Sequence, residues 1–270
     1  MRLLVAVATA VSFVLPVEAQ ESAATRDTVV LVPGGPSLDP ARLVPHRATW
    51  RVTRHEPDGG TTNLGLWTDT WTRSTEQERP IVLFQQLFVD TAGAVQWLAD
   101  VAYDAATFRA LHARQQFPPG GEVTYRYSGD TASGTLRVSA TADPRDFRVV
   151  FEEPVWEPLM PASILWPYEN AGRGTVIREP IWNQAVGAVR DVTRRHIRVD
   201  SVGTVVASGR ALAAWHLTVT VEARPNTVTR LWQTPAPPYF WWFIVEQPGL
   251  VREWSLVGWE PFVPSPPRER

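Results

Sequence analysis

Between residues 46 and 262 the chain is a succession of short β-forming runs separated by turn signals. In "HRATWRVTR", Ala48, Trp50 and Val52 point one way while Thr49, Arg51 and Thr53 point the other. A period of two marks a strand with one buried face. "TTNLGLWTDTWTRS" places Trp67 and Trp71 on one face if it is a single strand. "PIVLFQQLFVD", "AVQWLADVAYD" and "TFRALHARQQF" follow, and "PPGG" breaks the chain before "EVTYRYSG" and "SGTLRVSA". Later come "FRVVFEEPVW", "AVRDVTRRHIRVDSV", "TVVASG", "ALAAWHLTVTVEA", "TVTRLWQT", "YFWWFIVE" and "VREWSLVGW". Strands at this spacing predict an all-β, mainly antiparallel fold in one domain, a sandwich or a barrel. Only "PLMPASILWPYENAG" lacks alternation, so it is the place for at most one short helix or a loop crossing the sheet.

Both ends differ from this middle. Met1-Arg2, the apolar run "LLVAVATAVSFVL" and the small residues before Gln20 form the pattern of a secretory signal peptide, with cleavage expected after Ala19. The run is shorter than the roughly 20 residues that span a bilayer, which disfavours an uncleaved anchor. Residues 20–45 read as a Pro/Gly-rich lead-in with "TVVLV" its one candidate strand, residues 46–262 as the β domain, and residues 263–270 as a disordered tail. There is no cysteine. A lipoprotein anchor and a disulfide framework are therefore both excluded, and stability must come from packing. The expected product is an exported protein of the periplasm or extracellular space, without a transmembrane span in the mature chain. A net charge of −2 gives no electrostatic reason to expect nucleic acid as a partner.

Motifs that would announce an enzyme are missing. There is no G-x-S-x-G, P-loop or G-x-G-x-x-G, and His55-Glu56 is followed by Pro57, which forbids the helix of a zinc protease site. The five histidines are scattered, so neither a metal site nor a cofactor is expected. In "FEEPVWEP", Glu152, Glu153 and Glu157 are candidates for acid–base work, but adjacent strand residues face opposite sides and cannot act as a matched pair.

Two runs carry the candidate site. In "VRDVTRRHIRV", alternation sets Arg190, Arg194, His196 and Arg198 on one face, opposite Asp191, Thr193, Arg195, Ile197 and Val199. The first group could grip a phosphate or carboxylate head group, or simply keep a sheet face in water. His216, opposite Trp215 and Leu217, is a second histidine to weigh as a catalytic group or as an ordinary half-exposed strand residue. The other run is "YFWWFIV". As a regular strand it puts Tyr239, Trp241 and Phe243 on one face and Phe240, Trp242 and Ile244 on the other, so both faces need cover. The chain holds 13 tryptophans in 270 residues, several times the roughly one per cent of ordinary composition. Most have a bland explanation in core filling, but an indole also suits a ligand groove that is apolar at one end and wet at the other.

"YDAATFRALHARQQ" followed by "EVTYRYSGDTASGTLRV" resembles a strand-pair pattern of uncharacterised bacterial exported β-rich proteins, carried here by Asp104, Thr107, Phe108, Tyr127, Gly129 and Gly134. Trp232, Pro248, Leu250, Val251 and Arg252 match the ending of that group, with the aromatic run inserted between them. The match covers about half the chain. Relatives of the group are similar to half-open β-barrels of periplasmic lipoprotein carriers, whose concave face accepts acyl chains, so the resemblance implies a curved sheet or half-open β-barrel here. The resemblance implies no catalytic residues. Together these readings predict non-catalytic binding of a hydrophobic or lipid-like small molecule by Tyr239, Trp241, Trp242 and Phe243, with Arg194, His196 and Arg198 at the rim. The alternatives are an envelope structural or interaction protein docking a partner through its aromatic face, and a hydrolase using His196 or His216.

Overall fold

A computed structural model describes the pair Ser12–Phe13 and residues 28–167, 171–185, 188–207 and 210–262. The rest of the expected signal peptide, residues 20–27 of the lead-in and the tail at 263–270 lie outside the described residues.

The expected all-β class is what the structure has. The strands are β1 (Ser12–Phe13), β2 (Thr28–Val30), β3 (His46–His55), β4 (Thr61–Glu76), β5 (Arg79–Asp90), β6 (Val95–Asp104), β7 (Ala110–Phe117) and β8 (Gly121–Ser128). They continue as β9 (Thr131–Arg137), β10 (Arg145–Val150), β11 (Val176–Ala185), β12 (Ala188–Ala207), β13 (Arg210–Val221), β14 (Arg224–Gln233), β15 (Phe240–Gln247) and β16 (Leu250–Pro261). Two up-and-down antiparallel series, β3 to β10 and β11 to β16, are joined where β16 pairs with β3. The result is one large sheet that does not close. Its ends are β10 on one side and β2, parallel to β11, on the other; β1 pairs with the outer part of β12.

Alternation decides which face is buried. Ala48, Trp50 and Val52 of β3, Val82 and Phe84 of β5, Ala99, Val101 and Tyr103 of β6, and Ile197 and Val199 of β12 are all buried. Their arginine and threonine neighbours face out. Gly134 in β9 is required by close approach, because a Cβ there would sit 1.9 Å from the Thr124 carbonyl oxygen.

The sheet curls around this inner face. Trp182 of β11 lies 5.0 Å from Tyr125 of β8 and 5.8 Å from Phe147 of β10, although β11 and β10 stand near opposite ends of the hydrogen-bonded order. No strand ladder joins the two ends; ring contacts and a few backbone hydrogen bonds through the lead-in and the crossing segment, such as Gly34 N–H to the Thr107 carbonyl at 2.7 Å, bring them together. The segment that runs from β10 to β11 completes the closure by lying inside. Trp156, Met160, Ala162 and Leu165 have no solvent exposure, and Ala162–Leu165 forms a short 3-10 turn, so the stretch without alternation is both a helical turn and a crossing loop. Trp156 exchanges backbone hydrogen bonds with β11 at Pro180 and Trp182, and its indole donates to the Leu31 carbonyl at 2.9 Å. Leu31 and Leu43 are buried as well, so residues 28–45 pack onto the sheet rather than forming a free linker.

Candidate functional site

The aromatic run does not alternate as a regular strand would. Trp232 of β14 faces Trp242, but Gln233 faces Phe240, so one extra residue is accommodated at Trp241. Such a bulge changes the sides on which neighbours point. Phe240 and Phe243 both reach the cluster around Trp50 and Trp254, while Trp241 packs separately with Val205 and Ala214 and donates its indole N–H to Thr234 Oγ1 at 3.0 Å. Tyr239, 1% exposed, precedes the strand with φ 61°. Its hydroxyl donates to the Arg42 carbonyl and accepts from the Val44 N–H at 2.8 Å. Trp242 is half-buried, with its indole N–H donated to Glu253 at 2.9 Å. Partial burial acts on Glu253, yet hydrogen bonds from Trp242, Ser255 and His55 hold its carboxyl below the usual range. The four expected ligand residues therefore do not form one surface. Phe243 stays half-exposed on the inner face, Tyr239 and Trp241 serve packing, and Trp242 belongs to the other face.

Arg194, His196 and Arg198 also lie apart from the inner face, and each has a carboxylate partner. Arg194 pairs with Glu153 at 2.5 Å, His196 with Glu222 at 2.9 Å and Arg198 with Asp200 at 2.6 Å. The side chain of Arg190 is outside the described residues. His216 lies 3.8 Å from Asp200 and stacks obliquely on Trp232, 5.0 Å away. His55 and His112 pair with Glu253 and Glu76. Among the described residues no three His, Asp or Glu side chains gather in a way that would hold a metal.

The neighbour passed over in the sequence, Arg195, is the cation that faces inward. It pairs with Glu179, directly opposite on β11 and fully buried, and donates to the carbonyls of Pro158 and Met160 in the crossing segment. Glu157, 1% exposed, accepts from the Tyr125 hydroxyl at 2.8 Å, the Tyr103 hydroxyl and the Gln115 amide at 3.0 Å each, and the Leu159 N–H at 2.7 Å. Burial pushes both carboxyls up, while these donors and Arg195 pull the other way. No substrate reaches such groups without moving the segment, so their visible effect is to pin it. Glu157 sits between Trp156 and Pro158 in an apolar stretch, and that isolation was its only signal.

The inner face also carries an aromatic belt in the middle of the sheet. Trp50 and Trp254 form its floor, and Trp67, Phe88 and Phe243 are half-exposed. Phe243 stacks on Trp254 at 4.7 Å, and Trp67 stands edge-on to Trp254 at 6.4 Å and 6.0 Å from Phe88. No residue of the crossing segment or the lead-in belongs to this cluster, whereas both contribute to its neighbours. Beside the belt lies Asp69, which accepts from the Trp67 indole at 2.7 Å. Burial pushes its carboxyl up to about 7 against hydrogen bonds from Trp67 and Gln86.

Asp104 and Gly129, two of the residues on which the resemblance was read, have local structural roles. Asp104 Oδ1 accepts from the N–H and hydroxyl of Thr107 at 2.8 and 2.7 Å to shape the β6–β7 turn, and Gly129 supplies φ 62° in the next hairpin. Three open clefts, of 410, 480 and 380 Å³, are lined by none of the seven expected site residues, and the last of them is lined by Trp97 and the β7–β8 turn. No family model matches the chain, and comparison with curated proteins and with solved structures finds no match.

Proposed function

We propose that this is an exported, non-catalytic carrier or binder of a hydrophobic, lipid-like small molecule, held against the belt of Trp67, Phe88 and Phe243. One observation carries the reading: Trp67, Phe88 and Phe243 stay only partly buried in a cluster to which neither the crossing segment nor the lead-in contributes a residue. Each ring has only part of its surface left to lose, so a flat apolar ligand gains by covering the remaining faces of all three together. The N-terminal apolar run supports export. The arginines that were expected at the rim do not enter this site.

The test uses the full chain and the methyl ester of a brominated stearate, whose heavy atoms quench indole fluorescence on contact. Saturable quenching is expected, with Trp67→Ala and Phe88→Ala each weakening it by about tenfold. Fluorescence that ignores the probe overturns the reading. A second reading rests on Trp259, 44% exposed, and Phe262, 40% exposed, at the end of β16: an interaction protein that docks a partner there. Capture of one stoichiometric envelope protein, lost in Trp259→Ser, would favour it.

A further inference from the structure

The ring row of the belt does not stop at Phe88. Strand registers carry it from Trp50 on β3 through Trp67 on β4 and Phe88 on β5 to Trp97 on β6. Trp97 lies one residue before the Leu98–Gln116 pair on its strand and Phe117 one after it, so the two rings are neighbours across β6 and β7. Phe117 in turn lies opposite Gly121 of β8, where a Cβ would fall 2.1 Å from its ring. The missing side chain lets the phenyl ring settle against the β8 backbone. At these rings opens the cleft of 380 Å³, with Val95, Pro118 and Pro119 as its other apolar walls.

The lining of this cleft carries charge of one sign. Among the described residues Arg137, at the end of β9, is its one charged member, beside the uncharged Gln96 and Gln116. Arg137 has a side chain 39% exposed and sets one nitrogen 3.3 Å from Glu122, which Arg114 already holds at 2.5 Å. Two guanidiniums on one carboxylate leave a net positive charge, and a guanidinium offers a planar fork of donors that matches a second carboxylate. Gln96 is committed to Asp90, which accepts from its amide at 2.7 Å and from the Ala92 and Ala94 N–H groups at 2.9 Å each. An apolar cleft with a cation in its wall, continuous with partly buried rings, is complementary to a hydrocarbon chain that ends in an acid.

From this we infer that cleft and belt together take a single-chain amphiphile with a carboxylate head, a fatty acid in its ionised form. The carboxylate meets Arg137, the first part of the chain lies in the cleft against Trp97 and Phe117, and the rest runs onto Phe88 and Trp67. This inference rests on the binder reading above and deepens it by fixing the head group and the direction of the chain.

Three probes with the same chain length separate the possibilities in equilibrium dialysis against the full chain: dodecanoate, 1-dodecanol and dodecyltrimethylammonium, at about pH 8 so that the acid is ionised. Dodecanoate is expected to bind about tenfold tighter than the alcohol, and the ammonium probe weakest. Arg137→Gln is expected to lower dodecanoate to the level of the alcohol. Val95→Glu adds an opposite charge to the cleft wall at a position 57% exposed, and it serves if Arg137→Gln does not fold. It is expected to weaken dodecanoate and strengthen the ammonium probe. Equal binding of acid and alcohol by the natural chain overturns the inference alone. A preference for the acid that survives Arg137→Gln, or that Val95→Glu leaves untouched, does the same. Failure of all three probes to bind overturns it together with the binder reading.

Discussion

Arg195 shows how one residue decides whether the inside of this sheet can be filled. Its guanidinium meets Glu179 across the β11–β12 pair and two carbonyls of the crossing segment, with a side chain only 13% exposed. A buried ion pair contributes little relative to apolar residues of the same shape, but half of one is costly. Arg195→Met should therefore destabilise the protein by about 3–5 kcal/mol, because Glu179 is left charged and unpaired. Arg195→Met combined with Glu179→Leu should recover most of that loss. Urea unfolding of the two variants checks both statements, and equal destabilisation would show that the pair matters in some other way. Part of this was legible: alternation already set Arg195 on the face of Ile197 and Val199, where a cation is out of place. Its partner was not, since Glu179 meets it only through the register of two strands.

At the scale of elements, β15 is the instructive case. The apolar run forms a strand as its composition demands, but the bulge at Trp241 redistributes the rings among three environments. The two-faced pattern read from strict alternation therefore dissolves. Tyr239, just before the strand, becomes a clasp for the lead-in through Arg42 and Val44. Tyr239→Phe should keep the ring's packing and cost about 1–3 kcal/mol by leaving the Val44 N–H and the Arg42 carbonyl without this partner. Hydrogen exchange at the Val44 amide should then accelerate while the amides of β6 keep their protection. Unchanged exchange at Val44 would mean that the lead-in is held elsewhere. A bulge is invisible in one sequence because it depends on what the neighbouring strand offers, here the Gln233 side chain bound to Ser163 of the crossing segment at 3.0 Å.

The whole molecule is a sheet without a closing hydrogen-bond ladder, so closure depends on packing at its seam. Trp182 has no solvent exposure and touches Tyr125, Tyr127, Phe147 and Phe151 from the opposite end of the sheet. Trp182→Ala should cost about 3–5 kcal/mol and open the seam. Denaturant unfolding gives the loss, and increased binding of a hydrophobic dye in native buffer reports the opening. A similar loss without dye binding would locate the damage in the core alone.

The sequence by itself determined the class of fold and most of its strands, because a period of two and local turn chemistry are properties of neighbouring residues. It also marked the one stretch that breaks the pattern, and it excluded disulfides outright. Only the tertiary structure decided which polar groups go inside and which rings stay open. Asp69, Gln86 and Gln115 fall into one row through four strand registers, and the crossing segment covers some aromatic residues while leaving Trp67, Phe88 and Phe243 half-exposed. Those outcomes depend on contacts between residues far apart in the chain, and a linear pattern holds no record of them.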